Sequence, residues 1–297
     1  VTYYSVDIVG NQEEKKTYDF YVDKTAPTVV DELIGNTFVA SGREYYSGRN
    51  KLKLVSMDNK AGVKEIMYSI NNSEFKVYDK PFYLSKSGNL KIEVLAIDEV
   101  NNRKRTEKLS GGNKVSYVDL SGPELGHSYT VFISRDTKIS LAGNDHESGF
   151  KELEYRIGES AETQKYSQPF SIEEERHYTI HYTGYDNLGN SNSSTLLCVV
   201  DNQGPEIYYR FSMDPEKSRK IDEKTIEVYP PHVVLFLSST DNFAGFDKMY
   251  YSINDNPNQL YQSLIEGFKE NTHYKLDVTA LDKLGNTSKK AIEFYIE

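Results

Sequence analysis

The sequence predicts an all-β protein made of tandem β-sandwich domains arranged end to end. Three observations support this: apolar residues alternate with polar ones at a period of two, turn-forming residues separate the alternating segments, and the whole arrangement recurs along the chain. Alternation of this kind marks a strand with one buried face, because successive side chains point to opposite sides of a sheet. The 24 Tyr and 13 Phe in 297 residues also suit strands, where aromatic side chains pack well.

The repeated stretch is clearest from Tyr178 to Asn190. An alternating strand segment with Ile180, Tyr182 and Gly184 is followed by the turn chemistry of Asp186-Asn-Leu-Gly-Asn190. Two further copies have the same frame, with an Asp eight residues after the first apolar position and an Asn four residues after that Asp. These copies run from Leu90 to Asn102 and from Tyr274 to Asn286, and Tyr3 to Asn11 is the end of a fourth.

Boundaries between repeats are marked by a proline four residues after an aspartate. Proline cannot donate to a strand ladder and is confined to edges and strand starts. The resulting division is 1–23 as the C-terminal strands of a preceding repeat, then complete repeats at 24–119, 120–201 and 202–297. The spacings of 91, 88 and 96 residues between the strand-end aspartates from Asp7 to Asp282 fit one sandwich each. The boundary motifs are Asp23-Lys-Thr-Ala-Pro27, Asp119-Leu-Ser-Gly-Pro123 and Asp201-Asn-Gln-Gly-Pro205.

The N-terminal segment and the insertions give more local expectations. Residues 3–7 and 18–22 are expected to be strands that pack on the next repeat or belong with the rest of a preceding domain. The charged residues 214–220 of the third repeat are expected in a surface loop, and 110–113 add turn residues to the first.

Each repeat contains a second landmark, a loop that begins with Asp and ends with Gly four residues later. The Gly precedes a Tyr by six residues in every copy, so a strand should leave this loop. The three loops are Asp58-Asn-Lys-Ala-Gly62, Asp145-His-Glu-Ser-Gly149 and Asp241-Asn-Phe-Ala-Gly245, and the three tyrosines are Tyr68, Tyr155 and Tyr251.

The combined landmarks resemble those of bacterial immunoglobulin-like repeats. They look most like the type named after a leptospiral outer-membrane protein and are similar to repeats of large bacterial adhesins. The resemblance covers nearly the whole chain and implies tandem immunoglobulin-like sandwiches in an exported protein, at the bacterial cell surface, outer membrane or periplasm, or secreted. The matching segments are Thr25-Ala-Pro27, Asp58-Asn-Lys-Ala-Gly62, Tyr68-Ser-Ile-Asn, Tyr78-Asp-Lys-Pro-Phe82 and Asp98-Glu-Val-Asn-Asn102.

The charge and hydropathy of the sequence limit the classes of partner that the protein could bind. With 35 Lys+Arg against 45 Asp+Glu the net charge is -10, which argues against nucleic acid and anionic membrane surfaces and leaves cations as ligands. The chain has no apolar run of about 18 residues that could span a membrane as a helix. Cys198 lies in an apolar run and is the single cysteine, so it forms no intrachain disulfide and is expected to be buried and inert.

Recurring aspartates are the candidate metal ligands. In a sandwich array, the end of one repeat should lie near two loops of the next, so each junction would collect a closing Asp, a loop Asp and a strand-end Asp. Calcium takes six to eight oxygens and could bridge them. The alternative is that these side chains only cap turns by bonding their own backbone. The closing Asp residues are Asp23, Asp119 and Asp201, the loop Asp residues are Asp58, Asp145 and Asp241, and the strand-end Asp residues are Asp98, Asp186 and Asp282.

The sequence gives little support for a histidine metal site or for a catalytic site. His177 and His181 share a strand face but should lie about 13 Å apart, too far to share an ion. No Gly-x-Ser-x-Gly turn, phosphate loop or Cys-x-x-Cys pair occurs, so no enzymatic activity and no required cofactor are predicted. The repeated tyrosines are expected in the core, with Tyr178 and Tyr274 bonding the backbone at a sandwich corner. Exposed aromatics at Tyr45-Tyr46 or Tyr208-Tyr209 could bind a sugar or a partner.

The leading hypothesis is therefore a non-catalytic, rod-like segment of a bacterial surface or envelope protein. It would act as a stalk or as an adhesive module for a protein partner at the cell surface or in the envelope, for example in a host extracellular matrix. Three sandwiches would span about 110 Å. The alternative is an accessory carbohydrate-binding or spacer module of a secreted hydrolase.

Overall fold

Strands form all the regular secondary structure in the described residues, so the all-β prediction is confirmed. The computed structural model of the protein describes residues 1–108, 115–128, 131–160 and 162–297. Its described part contains no helix of the length and apolar character that crossing a membrane requires. The turn expected at 110–113 lies outside the described residues.

The N-terminal segment and the first predicted repeat form one hairpin and three sheets. The sheets have the strand orders β3-β6-β9, β10-β13-β5-β4 and β12-β11-β7-β8. The strands are β1 (Thr2–Tyr3), β2 (Lys16–Thr17), β3 (Thr28–Ile34), β4 (Thr37–Ala40), β5 (Arg43–Ser47), β6 (Lys51–Met57), β7 (Val63–Ile70), β8 (Lys76–Val77), β9 (Phe82–Tyr83), β10 (Gly88–Asn89), β11 (Ile92–Asp98), β12 (Arg103–Lys108) and β13 (Val115–Asp119).

The second predicted repeat contributes a two-stranded sheet, β14-β16, and a five-stranded sheet, β15-β20-β19-β17-β18. Its strands are β14 (Glu124–His127), β15 (Phe132–Ile133), β16 (Leu141–Asn144), β17 (Phe150–Ile157), β18 (Gln164–Lys165), β19 (His177–Asp186) and β20 (Ser191–Val200).

The third predicted repeat contributes the sheets β21-β24 and β22-β23-β28-β27-β25-β26. Its strands are β21 (Glu206–Phe211), β22 (Lys217–Ile221), β23 (Lys224–Tyr229), β24 (Leu235–Thr240), β25 (Phe246–Ile253), β26 (Gln259–Leu260), β27 (Thr272–Asp282) and β28 (Thr287–Ile296).

One parallel pair per repeat shows how the chain closes each sandwich. An early strand pairs in parallel with the last strand, as β5 does with β13, β15 with β20, and β23 with β28. Parallel neighbours require a crossover connection, so the chain must pass between sheets rather than run as a simple meander. Crossing between two packed sheets in this way is what an immunoglobulin-like sandwich requires.

Three separate hydrophobic clusters, counted over the described residues, hold these sheets together. They lie within residues 29–118, 125–200 and 207–296. Along β27 every second side chain is buried, with Tyr274, Leu276, Val278 and Ala280 no more than 8% exposed. The period of two predicted from the sequence is therefore present.

The chain divides into two compact units. The first comprises Val1–Glu124, Gly143–Glu152 and Gly184–Asn192, and the second comprises Leu125–Ala142, Leu153–Thr183 and Ser193–Glu297. Five strands of the second predicted repeat contribute residues to both units: β14, β16, β17, β19 and β20. The boundaries at 119/120 and 201/202 remain predictions from the sequence.

Two local expectations were wrong. Residues 18–22 form no strand, since Lys16–Thr17 pairs with Thr2–Tyr3 instead. Residues 1–22 are all exposed, so they do not pack on the next repeat, and the alternative that they belong with a preceding domain stays a prediction. The charged insertion of the third repeat contains the strand Lys217–Ile221 rather than only a loop. This strand pairs with β23 through a turn in which Asp222 and Glu223 both have positive φ, and its Lys and Arg side chains suit an exposed edge.

Candidate functional site: the junction aspartates

Each predicted junction brings together one closing Asp, one loop Asp and one strand-end Asp. In every set, one carboxylate oxygen from each residue lies within 4.8 Å of the others. The three sets grouped from the sequence are thus the three sets that the structure assembles. Their members are Asp23, Asp58 and Asp98; Asp119, Asp145 and Asp186; and Asp201, Asp241 and Asp282.

The register of each strand explains why the strand-end Asp is buried. These residues follow the first apolar position of the frame by eight residues, an even number, so they share its face of the sheet. Asp98 and Asp186 are 0% exposed and Asp282 is 2% exposed. A strand that otherwise buries apolar groups therefore ends with a carboxylate on its core side.

A tight turn satisfies the strand-end carboxylate. In the third repeat, Oδ1 of Asp282 accepts hydrogen bonds from the amides of Leu284 at 2.9 Å and Asn286 at 2.7 Å. Its Oδ2 accepts the side-chain amide of Asn286 at 2.8 Å. Asp98 and Asp186 make the same three bonds. We call Asn102, Asn190 and Asn286 the clamp asparagines.

The same turn forms at Asp7, which belongs to none of the three sets. Asp7 accepts the amides of Val9 and Asn11 and the side-chain amide of Asn11, at 2.7 to 3.0 Å. These hydrogen bonds from Asn11 hold the pKa of the exposed Asp7 below its usual range. The turn is therefore encoded locally by Asp and Asn four residues apart, without help from the other aspartates.

The loop Asp also folds its own segment. Oδ1 of Asp241 accepts the amides of Phe243 at 3.1 Å and Gly245 at 2.6 Å, and Asp58 and Asp145 do the same. Gly245 has a φ of 84°, a left-handed conformation that favours glycine and explains the Gly that ends each loop.

The closing Asp links sequence-distant segments. Its Oδ2 accepts the backbone amide of the residue before the loop glycine, at 2.9 to 3.0 Å in all three sets. Its backbone carbonyl accepts the side-chain amide of the clamp asparagine at 3.1 to 3.2 Å. The partners of the closing carboxylate are Ala61, Ser148 and Ala244. These bonds tie the end of one predicted repeat to two loops of the next.

Close backbone packing accompanies this tie. A Cβ added to Gly122 would lie 2.4 Å from the backbone carbon of Ser191, and one added to Gly204 would lie 2.3 Å from that of Thr287. Only a residue without a side chain fits so close to another backbone. The corresponding position in the first boundary motif is Ala26.

The middle set carries an additional carboxyl. Glu147 accepts the hydroxyl of Tyr117 at 2.9 Å and that of Ser121 at 2.7 Å. Burial raises the pKa of Glu147, and the adjacent Asp119 raises it further. Burial also raises the pKa of Asp145, to which repulsion from Asp119 and Asp186 contributes. The set therefore concentrates negative charge.

Residues that differ between junctions supply extra contacts. Arg49 donates to the side-chain oxygen of Asn190 at 3.2 Å and to the carbonyl of Leu188 at 2.9 Å. At the following junction, the rings of His177 and Phe243 meet edge to face with centroids 5.7 Å apart. Arg49, Glu147 and Phe243 were not predicted as contact residues, because they occupy positions where the repeats differ.

The hydrogen bonds that each carboxylate oxygen already accepts determine which oxygens remain for a cation. Among the described residues, Oδ2 of each loop Asp accepts no hydrogen bond, whereas both oxygens of every closing and strand-end Asp accept at least one. Calcium would need six to eight oxygens. The residues therefore fit a cation through the loop Asp and its neighbours, and they equally fit a hydrogen-bonded clamp.

Tyrosines outside the junctions had mixed outcomes. The corner prediction is confirmed: the hydroxyl of Tyr178 donates to the carbonyl of Glu174, and that of Tyr274 accepts the amide of Lys269. The exposed positions are Tyr208 and Tyr209, at 43% and 42%. The expectation that Tyr45 and Tyr46 are exposed was wrong, because they are 5% and 2% exposed. Both lie in β5, which is an inner strand of its sheet between β13 and β4.

Comparisons with known proteins give fold-level likeness only. No family model and no curated protein matches the chain. Similar solved structures include a tetra-tandem repeat from the extending region of a large adhesion protein, with 14% identity over 99% of this chain and 80% of that one at a TM-score of 0.36. Domains A168–A170 of titin share 13% identity over 92% of this chain and 99% of that one, also at 0.36.

A third similar structure is a Ca2+-stabilised adhesin with which an Antarctic bacterium binds ice. It shares 13% identity over 100% of this chain and 81% of that one, at a TM-score of 0.33. The strand topology described above is what defines the class of this protein: an all-β array of tandem immunoglobulin-like sandwiches.

Proposed function

We propose that this chain is a non-catalytic stalk or adhesive segment of a bacterial cell-surface or envelope protein, with successive sandwiches joined through the junction aspartates. The observation that carries the proposal is the repetition of one pair of bonds, from the clamp asparagine to the closing carbonyl and from the closing carboxylate to the loop amide. A bend at a junction would break both bonds and leave polar groups unpaired. Such ties suit a segment that holds a spacing or bears force.

Single-molecule pulling on the whole chain tests this role. Three successive unfolding events are expected, each releasing about 300 Å of chain for a domain of the predicted size. One event for the entire chain, or unfolding without measurable resistance, would contradict a stalk of serially linked sandwiches.

Calcium binding at the junctions is a further proposal within this function. Its support is the convergence of three carboxylates within 4.8 Å and the free Oδ2 of each loop Asp. Neutralising the clustered charge would stabilise the junction. The competing interpretation, in which the aspartates only form turns, is supported by the isolated turn at Asp7.

The variant Asp241→Asn separates the two interpretations. Asn retains the side-chain oxygen that accepts the amides of Phe243 and Gly245 but removes the charge. If calcium binds, calorimetry detects it in the wild type, chelator lowers the melting temperature, and the variant loses one site. If calorimetry detects no binding at millimolar calcium and chelator changes nothing, the calcium proposal fails and the turn-forming role stands.

Location and partner are also proposals. The resemblance to leptospiral-type and adhesin repeats favours export to the cell surface or envelope and a protein partner there. The alternative, an accessory sugar-binding module of a secreted hydrolase, would use exposed aromatics such as Tyr208 and Tyr209. A glycan array decides between them, because clear glycan binding that Tyr208→Ala abolishes would favour the alternative.

A further inference from the structure

We propose that the first repeat contains a binding cleft for a small organic anion with an apolar, ring-sized body, such as an aryl carboxylate. The cleft has a volume of about 440 Å3 and is formed by residues 68–90 together with Val118. This volume lies within the range of about 300–1,000 Å3 that small-molecule sites occupy. The cleft is separate from the junction aspartates, none of which lines it.

The residue at position 90 distinguishes this end of the first sandwich from the others. Leu90 stands where the other repeats have Tyr178 and Tyr274, which are only 7% and 8% exposed and whose hydroxyls bond the backbone. Leucine is smaller and has no hydroxyl to anchor, and Leu90 is only half-buried and lines the cleft. The cleft therefore coincides with a missing tyrosine ring.

Apolar and aromatic groups form the interior. Tyr68 stacks on Phe82 with ring centroids 4.5 Å apart and planes inclined by 19°. Leu84 and Val118 are 2% and 1% exposed and belong to the hydrophobic core, while Tyr83 is 56% exposed. A flat apolar body would bury its surface against the partly exposed rings of Tyr68, Phe82 and Tyr83, with Leu84 and Val118 in the core behind them.

The charge of the cleft is opposite to that of the whole chain. Lys76 and Lys86 line it, and no carboxylate does among the described lining residues, in a protein of net charge -10. Neither lysine forms an ion pair with an acidic residue of the described chain. The ammonium of Lys51 lies 4.9 Å from the ring centroid of the adjacent Tyr83. The two lysines that line the cleft, with Lys51 beyond the ring of Tyr83, therefore favour an anion.

The polar lining residues favour an aryl anion over a sugar. The side chain of Asn71 already donates to the carbonyl of Asn89 at 2.7 Å and accepts the amide of Lys91 at 2.8 Å. The hydroxyl of Ser73 already accepts the amide of Ile70 and donates to the carbonyl of Glu74. These two side chains therefore have less hydrogen-bonding capacity left for a polyhydroxylated ligand, whereas the ammonium groups and aromatic faces of the lining remain available.

The test uses 1-anilinonaphthalene-8-sulfonate, a fluorescent aryl anion, with the full folded chain. We expect phenylacetate to displace the probe, and the neutral phenylacetamide, acetate and glucuronate to displace it far less. Lys76→Gln with Lys86→Gln removes both lining ammonium groups and should weaken probe binding at least about tenfold. The exposed Lys80 does not line the cleft, so Lys80→Gln should leave binding unchanged.

Leu90→Tyr provides a second variant that should fold. Its hydroxyl would meet the carbonyl of Lys86, four residues earlier, just as Tyr178 meets that of Glu174. Loss of probe binding with an unchanged or raised melting temperature supports the proposal. Wild-type-like binding by this variant, equal displacement by phenylacetamide or glucuronate, or no probe binding by the wild type would overturn it.

Discussion

The side-chain amide of Asn286 donates a 3.1 Å hydrogen bond to the backbone carbonyl of Asp201, a residue 85 positions earlier in the chain. The same amide donates to Oδ2 of Asp282 at 2.8 Å. One side chain thus closes a local turn and also ties that turn to the end of the preceding predicted repeat. Asn102 and Asn190 do the same in the other two sets.

Asn286→Ala should lower the free energy of unfolding by about 1–3 kcal/mol, since it leaves the carbonyl of Asp201 and Oδ2 of Asp282 without this donor. Urea unfolding, followed by hydrogen exchange of the β27 amides, measures the change. Asn11→Ala is the matched control because it removes the equivalent side-chain bond to Oδ2 of Asp7 at an exposed site and should change stability by less than about 0.5 kcal/mol. Equal effects of both variants would show that the long-range bond adds nothing.

Gly204→Ala should lower the free energy of unfolding by about 1–3 kcal/mol, because its Cβ would overlap the backbone of Thr287 and Ser288. Thermal unfolding of the purified chain measures this. Gly126→Ala is the control, since a Cβ there meets nothing within 4 Å. A melting temperature for Gly204→Ala that matches the control would show that the junction can relax around a methyl group.

Stability should fall at alkaline pH in part through Tyr46. Burial raises the pKa of Tyr46 to about 12 from the ordinary value of 10.0. Above pH 10 the unfolded chain loses this proton while the folded chain keeps it, so stability is complete below pH 10 and declines as pH approaches 12.

Tyr46→Phe should remove up to about 3 kcal/mol of that alkaline decline. Urea unfolding of the wild type and the variant at pH 9 and at pH 11.5 provides the comparison. The prediction is wrong if both proteins lose the same stability between these pH values.

Cys198 should resist thiol reagents while the protein is folded. Its side chain is 3% exposed, so a reagent can hardly reach the sulfur. Burial also raises the pKa of the thiol, so little of the reactive thiolate is present. Labelling with an aromatic disulfide should be slow in buffer and rapid in concentrated guanidinium. Rapid labelling under both conditions would place the thiol in a segment that opens readily.

Local chemistry made the strands and turns predictable. The even spacing between the first apolar residue and Asp282 assigns both to the buried face, and no tertiary information is needed for that assignment. The turn at Asp7 forms with bonds that span only four residues. The grouping of the nine aspartates into three sets was also predictable, because a repeated frame brings the same positions to the same end of each sandwich.

Long-range placement was not predictable in the same way. The local pattern of Tyr45-Tyr46 suggested exposed aromatics, but their strand lies between two others and buries them. The contacts of Arg49 and Glu147 join residues up to 141 positions apart at sites where the repeats differ. Neither the spacing nor the residue type of such positions indicates what another segment will place beside them.

The sequence by itself therefore determined the all-β class, the repeat, the assignment of the strand-end aspartates to the buried face, and the turns around them. These features depend on hydrogen bonds and side-chain directions within a few residues. Only the tertiary structure decided which amide each closing carboxylate accepts, which carboxylate oxygen remains free, and that Leu90 leaves a cleft. Those features depend on the distance between segments that packing brings together. A change of about 1 Å in that distance can break a hydrogen bond or fill a cavity.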